Sequence, residues 1–193
     1  MIKRLFDASL AGAGLLVSVP LWLVIPLAIK LEDGGPVFFP QARVGLNGRV
    51  FRALKFRSMR PDAEKYTGPV LATENDPRIT SFGRLLRLSH VDELPQVVNI
   101  VKGDLSMVGP RPEQPHYVEE LREKLPFYDL RHLVRPGLTG GAQVTYGYAG
   151  DERDALEKLQ YEFFYLRNQS LAFDCRIVLR TFRSVTGGRG AGR

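Results

Sequence analysis

The stretch "SHVDELPQ", Ser89 to Gln96, places two carboxylates side by side at Asp92 and Glu93 in a basic neighbourhood. Ser89-x-x-Asp92 matches a helix capping box, and on that reading the acids start a helix and favour its dipole. Capping uses one carboxylate, however, and here there are two. Arg84 and Arg87 precede them and Arg111 follows. A carboxylate near cations and a helix N-terminus keeps a low pKa, and serves as nucleophile or metal ligand. Glu93 beside it is placed to act on a proton. Carboxylates attack phosphorus in aspartyl-phosphate chemistry, so phosphoryl transfer is the reaction to weigh against plain capping.

Phosphate chemistry needs cations, and the chain has them. Arg111 stands between Pro110 and Pro112, which restrict its backbone and suit a forked guanidinium to bidentate phosphate binding. "RPGLTGGA" adds Arg135 and glycines that allow close backbone approach, an anion-cradle composition. Between Gly34 and Pro61 stand Arg43, Arg49, Arg52, Lys55, Arg57 and Arg60 with no acid, a field that attracts multiply charged anions. The Walker lysine pattern and the strand–GxGxxG–helix context are both missing, which excludes P-loop and Rossmann sites. His90, His116 and His132 have no metal-ligand spacing and read as surface or packing residues.

The elements that must position these groups follow from composition and periodicity. The chain has 193 residues, 44% apolar, with net charge +6, enough for one domain with a real core and an anionic partner. Its single cysteine, Cys175, excludes an internal disulfide and reads as packing within "AFDCRIVL". "PVFFPQARVGLNGRVFRALKFRSM" reads as a β-hairpin turning at Asn47-Gly48. Residues 62–79 read as a loop, "SFGRLLRL" as a short amphipathic basic helix, and Leu94 to Val101 as a helix stopped by Gly103. "SMVGPRPEQP" and "VRPGLTGGAQVTYGY" read as irregular, 116–125 as a helix. Two further helices fall in "ERDALEKLQYEFFYLRN" and, capped by Ser170, "SLAFDCRIVLRTFRSV". The tail 187–193 reads as flexible.

Ala8 to Ile29 is free of charge and, as a straight helix, reaches about 33 Å, enough for a bilayer core of about 30 Å. Pro20 near its middle calls for a bend, and each half alone is too short to span. Positive charge flanks both ends. A spanning helix and a helix that enters, bends and returns both satisfy these observations. Trp22 belongs to this membrane-embedded or interfacial segment.

"RLFD" before the apolar segment with its central proline, "KFRSM", "RLSHVDELPQVVNIVKGDLSMVGPRP" and "RPGLTGGAQV" occur in one order and spacing. In these motifs the chain, over residues 2 to 186, resembles the bacterial sugar transferases, the monotopic phosphoglycosyl transferases. The resemblance implies a mostly helical α+β monotopic membrane protein. Its parts are a proline-kinked re-entrant helix over 1–31, amphipathic interface helices, a small β-hairpin and a catalytic domain over 32–186. It implies transfer of a sugar 1-phosphate from a UDP-sugar to undecaprenyl phosphate, with Mg2+, through a phosphosugar–aspartate. It implies the start of a lipid-linked glycan at the bacterial inner membrane, with the active site on the cytoplasmic face. By this likeness Asp92 is nucleophile and magnesium ligand, Glu93 assists the acceptor step, and Arg111 faces phosphate. Pro20 breaks the membrane helix, and Arg87, Lys55, Arg57 and Arg135 join as phosphate contacts. Membrane lipids are expected partners and nucleic acid is not. The chain departs from the pattern at Val19, where relatives have Ser before the proline, leaving the bend to Pro20 and Ser18. It departs again at Gly141, where relatives have Trp. No large N-terminal membrane domain is expected. A membrane phosphatase or nucleotide-sugar hydrolase using the same acids is the alternative enzyme.

Overall fold

The computed structural model describes residues 2–63, 65, 70, 73, 76–146 and 152–186. The apolar N-terminus forms two helices, α1 (Ile2–Val17) and α2 (Val19–Asp33), bent by 62° where they meet. Pro20 sits in the first turn of α2, where a missing N–H costs nothing, and it cannot continue α1. Ser18 occupies the break: its Oγ donates to Leu15 O at 3.2 Å and accepts from Trp22 Nε1 at 3.0 Å. The Trp22 ring meets the edge of Phe56, centroids 5.6 Å apart. Trp22 therefore both caps the break and seats it on the catalytic part of the chain. Pro26 is accommodated inside α2. No single described helix is long and apolar enough to cross a membrane, whereas the bent pair passes that test of length and composition together.

One side of this pair is buried and the other is bare. Ala11, Ile25 and Ile29 enter two cores, the first with Val97, Ile100 and Leu105, the others with Phe56 and Leu86. Leu16, Val17, Leu23, Val24, Leu27 and Leu31 stay exposed.

The hairpin is β1 (Phe38–Val44) with β2 (Val50–Phe56), in register from Phe38↔Phe56 to Val44↔Val50. Asn47 and Gly48 both take positive φ, 54° and 74°, as an Asn-Gly turn requires, but the connection is wider than two residues and is closed by Gly45 N–H to Arg49 O at 2.8 Å. Half of residues 62–79 lie outside the described residues; their base is closed by a Met59–Ile79 bridge. Then come α3 (Ser81–Leu88) and α4 (Gln96–Lys102), the latter ended by Gly103 at φ 97°. The helix α5 (Pro115–Lys124) follows.

The two stretches read as irregular hold a short parallel pair, β3 (Ser106–Val108) and β4 (Gly137–Thr139). Three-residue strands carry no alternation, and glycine masks them. Those glycines let backbone meet backbone: a Cβ on Gly137 would lie 2.1 Å from Gly109 N, and one on Gly109 2.4 Å from Arg135 O. The smallness of Gly109 and Gly137 is thus used for strand packing. The chain closes with α6 (Gly141–Thr145), α7 (Glu152–Arg167) and α8 (Leu171–Thr186). Ser170 Oγ caps α8 by accepting from Phe173 N. Cys175, expected in packing, is exposed, because Asp174 and Ile177 take the inner face of α8. The flexible-tail reading of 187–193 lies outside the described residues.

Polar groups fasten α1 to β3. Asp7, 2% exposed, accepts from Ser106 Oγ at 2.8 Å and Met107 N at 3.0 Å. Lys3 Nζ meets Asp174 Oδ2 at 2.7 Å, and the Tyr165 hydroxyl lies within reach of Asp174 Oδ1 and Val108 O. Arg4 donates to the carbonyls of Ile100 and Val101 at the end of α4. The charges of "KRLFD" therefore tie α1 to α4, to α8 and, through Asp7, to the strand that runs into Gly109, Pro110 and Arg111.

Candidate active site

Asp92 and Glu93 sit in a single 3-10 turn, Val91–Glu93, between α3 and α4. The capping box does not form. Ser89 Oγ turns back to the carbonyls of Leu85 and Leu86 and closes α3 instead. His90 enters the turn with φ 55°, the left-handed conformation that reverses the chain. That reversal points the two neighbouring acids into different surroundings.

Glu93 is the paired one. Its Oε1 accepts from Lys55 Nζ on β2 and from Arg111 Nη2, each at 2.8 Å. Burial opposes its charge, but Arg111 and Lys55 outweigh it and hold the carboxyl well below its ordinary range. Asp92 is 8% exposed and takes no hydrogen bond from any described residue. Burial pushes its carboxyl up; Lys55 and Arg87 oppose this and Glu93 adds to it. The expectation that Asp92 keeps a low pKa is therefore reversed, because desolvation exceeds the help of cations that are already partly spent on Glu93.

The basic residues divide. Lys55 and Arg111 converge on Glu93, and the charge of Arg87 is felt at Asp92. Arg87 Nη1 is buried with no hydrogen-bond partner, an open donor beside the acid pair. Arg57 lies elsewhere: it follows the last residue of β2, and its fork closes on Asp33, with Nη1 at 2.5 Å from Oδ2. Pro36 O accepts its Nε at 2.6 Å, and Asp33 is held down to about 2 by this arginine. Its guanidinium is committed to tying α2 to the hairpin. Arg135 is exposed and donates to Gly103 O at 2.9 Å, at the end of α4. Gly141 begins α6, and a Cβ there would meet only Ile177, at 3.9 Å. Sequence reasoning missed Arg131 and Glu162, a buried pair beneath Arg111. They lie 31 residues apart on separate elements, so no local spacing signals them.

No described cluster of three metal-ligating side chains exists. Magnesium does not demand one: it typically takes one or two carboxylates, with substrate phosphates and water completing the shell. Asp92, with no hydrogen bond on its carboxylate, fits that donor role.

A family model described as bacterial sugar transferase matches residues 1–188. The chain belongs to the bacterial sugar transferase family. Among curated relatives of this transferase, one from Aeromonas hydrophila is 45% identical over 98% of the chain and 45% of its own length. It is named UDP-N-acetylgalactosamine-undecaprenyl-phosphate N-acetylgalactosaminephosphotransferase. A UDP-glucose:undecaprenyl-phosphate glucose-1-phosphate transferase of Escherichia coli (strain K12) is 42% identical over 94% of the chain and 39% of its length. The exopolysaccharide production protein PSS of Rhizobium leguminosarum bv. phaseoli is 39% identical, with 98% of each chain covered. The chain thus spans less than half the length of the first two relatives and nearly all of the third.

Proposed function

We propose that this sugar transferase moves a sugar 1-phosphate from a UDP-sugar to undecaprenyl phosphate, with Asp92 as covalent nucleophile. The observation that carries the reading is the unequal treatment of two adjacent acids: Glu93 is paired with Lys55 and Arg111, while Asp92 takes no hydrogen bond from any described residue. A nucleophile needs an unshared lone pair facing the substrate.

In the first half-reaction an Asp92 oxygen bonds to the sugar-bearing phosphorus, and the bond from that phosphorus to the bridging oxygen breaks. UMP leaves with the electron pair. In the second, a phosphate oxygen of the lipid attacks the same phosphorus, and the Asp92 carboxylate departs. Lys55, Arg87 and Arg111 offset charge on the equatorial oxygens. Glu93, yielding Lys55 and Arg111 to the diphosphate, assists the lipid phosphate. Asp92, with substrate oxygens, would hold magnesium, which would supply charge neutralisation there.

The same reading places the bent α1–α2 pair in the bilayer as a re-entrant hairpin, with the active site on the cytoplasmic face of the bacterial inner membrane. Its support is the 62° bend and the exposed apolar side of both helices. The test is UMP release by purified protein with magnesium, undecaprenyl phosphate and UDP-sugars, beginning with UDP-N-acetylgalactosamine and UDP-glucose. Release that requires the lipid acceptor for turnover is expected. Continuous release without lipid would instead mark a nucleotide-sugar hydrolase.

A further inference from the structure

The loop that carries Arg111 is held from below by a charged pair with no place in the chemistry. Arg131 and Glu162 are 5% and 6% exposed. They meet through a fork, Nε to Oε2 at 2.8 Å and Nη2 to Oε1 at 2.7 Å. The third nitrogen, Nη1, donates to the Tyr128 hydroxyl. Nη2 also donates to the carbonyl of Arg111 at 2.7 Å. The backbone N–H of Arg111 in turn donates to the Glu162 carboxylate. Both main-chain groups of Arg111 are thus addressed by one buried ion pair.

Stability does not account for such a pair. Two charges removed from water lose several kcal/mol of hydration each, and apolar replacements of similar volume are often neutral or stabilising. Geometry does account for it. Arg111 lies outside any regular strand, between Pro110 and Pro112, which lack N–H donors. Its side chain must nonetheless reach Glu93 at 2.8 Å. A planar fork aimed at its carbonyl removes the remaining freedom. Arg43 does the same for the next residue, donating to Pro112 O at 2.9 Å.

We propose that the buried Arg131–Glu162 pair is a positioning device for the transfer reaction, fixing the backbone of Arg111 so that its guanidinium meets the acid pair and the donor's diphosphate. This rests on the phosphoglycosyl transfer reading above. Wild-type UMP release tests that reading; comparison among variants tests the pair.

The informative variant removes the charge of the pair and the hydroxyl it binds: Tyr128→Phe, Arg131→Met and Glu162→Leu together. It is expected to melt at or near the wild-type temperature, yet to lose about tenfold to hundredfold in kcat, the usual cost of a small misplacement. In an Arg111→Ala background the same three changes are expected to cost nothing further. A folded triple variant with wild-type kcat overturns the proposal, and so does an equal loss in the Arg111→Ala background. Arg131→Lys covers a triple variant that fails to fold. Its single ammonium keeps the charge beside Glu162 but cannot serve the Arg111 carbonyl in the same plane. It is expected to lose kcat with little change in KM for the UDP-sugar, and wild-type kcat there overturns the proposal.

Discussion

Glu93 Oε1 accepts from Arg111 Nη2 at 2.8 Å, and the same oxygen accepts from Lys55 at 2.8 Å. One carboxylate oxygen thus gathers two cations of the kind that a phosphate would need. Glu93→Gln keeps the shape and removes the charge. A stoichiometric burst of UMP is expected to survive, followed by turnover slowed about a hundredfold, since the second half-reaction loses its acid–base partner. Rapid-quench measurement of UMP separates the phases; loss of the burst would show that Glu93 serves the first step instead.

Asp92 gives a pH signature. Its carboxyl is raised from 3.8 by burial, and attack on phosphorus requires the ionised form. Donor kcat/KM should therefore fall toward acid through an apparent pKa above 3.8. Stability runs the other way. A raised folded pKa contributes stability that is present below the unfolded value and is lost as pH rises through the folded one. Asp92→Asn should thus melt higher than wild type at neutral pH, with the difference closing below about pH 4. Equal melting temperatures at neutral pH would contradict the buried, costly carboxylate. Glu93 has the opposite sign: its depressed pKa supports the fold above its ordinary 4.5 and withdraws that support as pH falls further.

Lys55 and Arg57 are two residues apart yet should fail differently. Lys55→Ala is expected to raise KM for the UDP-sugar, and to lower the melting temperature because it leaves the buried Glu93 with Arg111 alone. Arg57→Ala leaves Asp33 without its fork and should cost about 2 kcal/mol of stability, with KM unchanged in the folded fraction. Thermal melts and donor titrations together check the pair; an Arg57→Ala variant of normal stability and high KM would return Arg57 to the phosphate site.

The bend at Ser18 depends on three side chains. Trp22→Ala removes both the donor to Ser18 Oγ and the contact with Phe56. Together with Pro20→Ala it is expected to straighten the pair toward a spanning helix. Cysteine labelling at residue 2 then reports periplasmic exposure in the double variant and cytoplasmic exposure in the wild type. A wild-type terminus labelled from the periplasm would overturn the re-entrant reading.

Much of this site was legible along the chain because its chemistry is local. Asp92 and Glu93 are adjacent, Arg111 is framed by prolines, and Asn47-Gly48 announces the hairpin. Ser89, by contrast, carried a capping signature that the structure spends on α3, since a hydroxyl within reach of two earlier carbonyls closes the helix it ends. Strands β3 and β4 were hidden by their length and their glycines. Arg57 and Lys55 could not be separated by composition, because only their partners, Asp33 for one and Glu93 for the other, decide which of them stands at the acid pair. Arg131 and Glu162 stayed invisible for the same reason: burial and pairing are tertiary facts.

The central claim is that Asp92 bonds to phosphorus. Purified protein mixed with UDP-sugar and magnesium, without lipid acceptor, should gain the mass of one sugar phosphate by intact-mass spectrometry. The adduct should vanish on adding undecaprenyl phosphate and be absent from Asp92→Asn. An Asp92→Asn protein that still forms the adduct, or still turns over at the wild-type rate, would contradict the account.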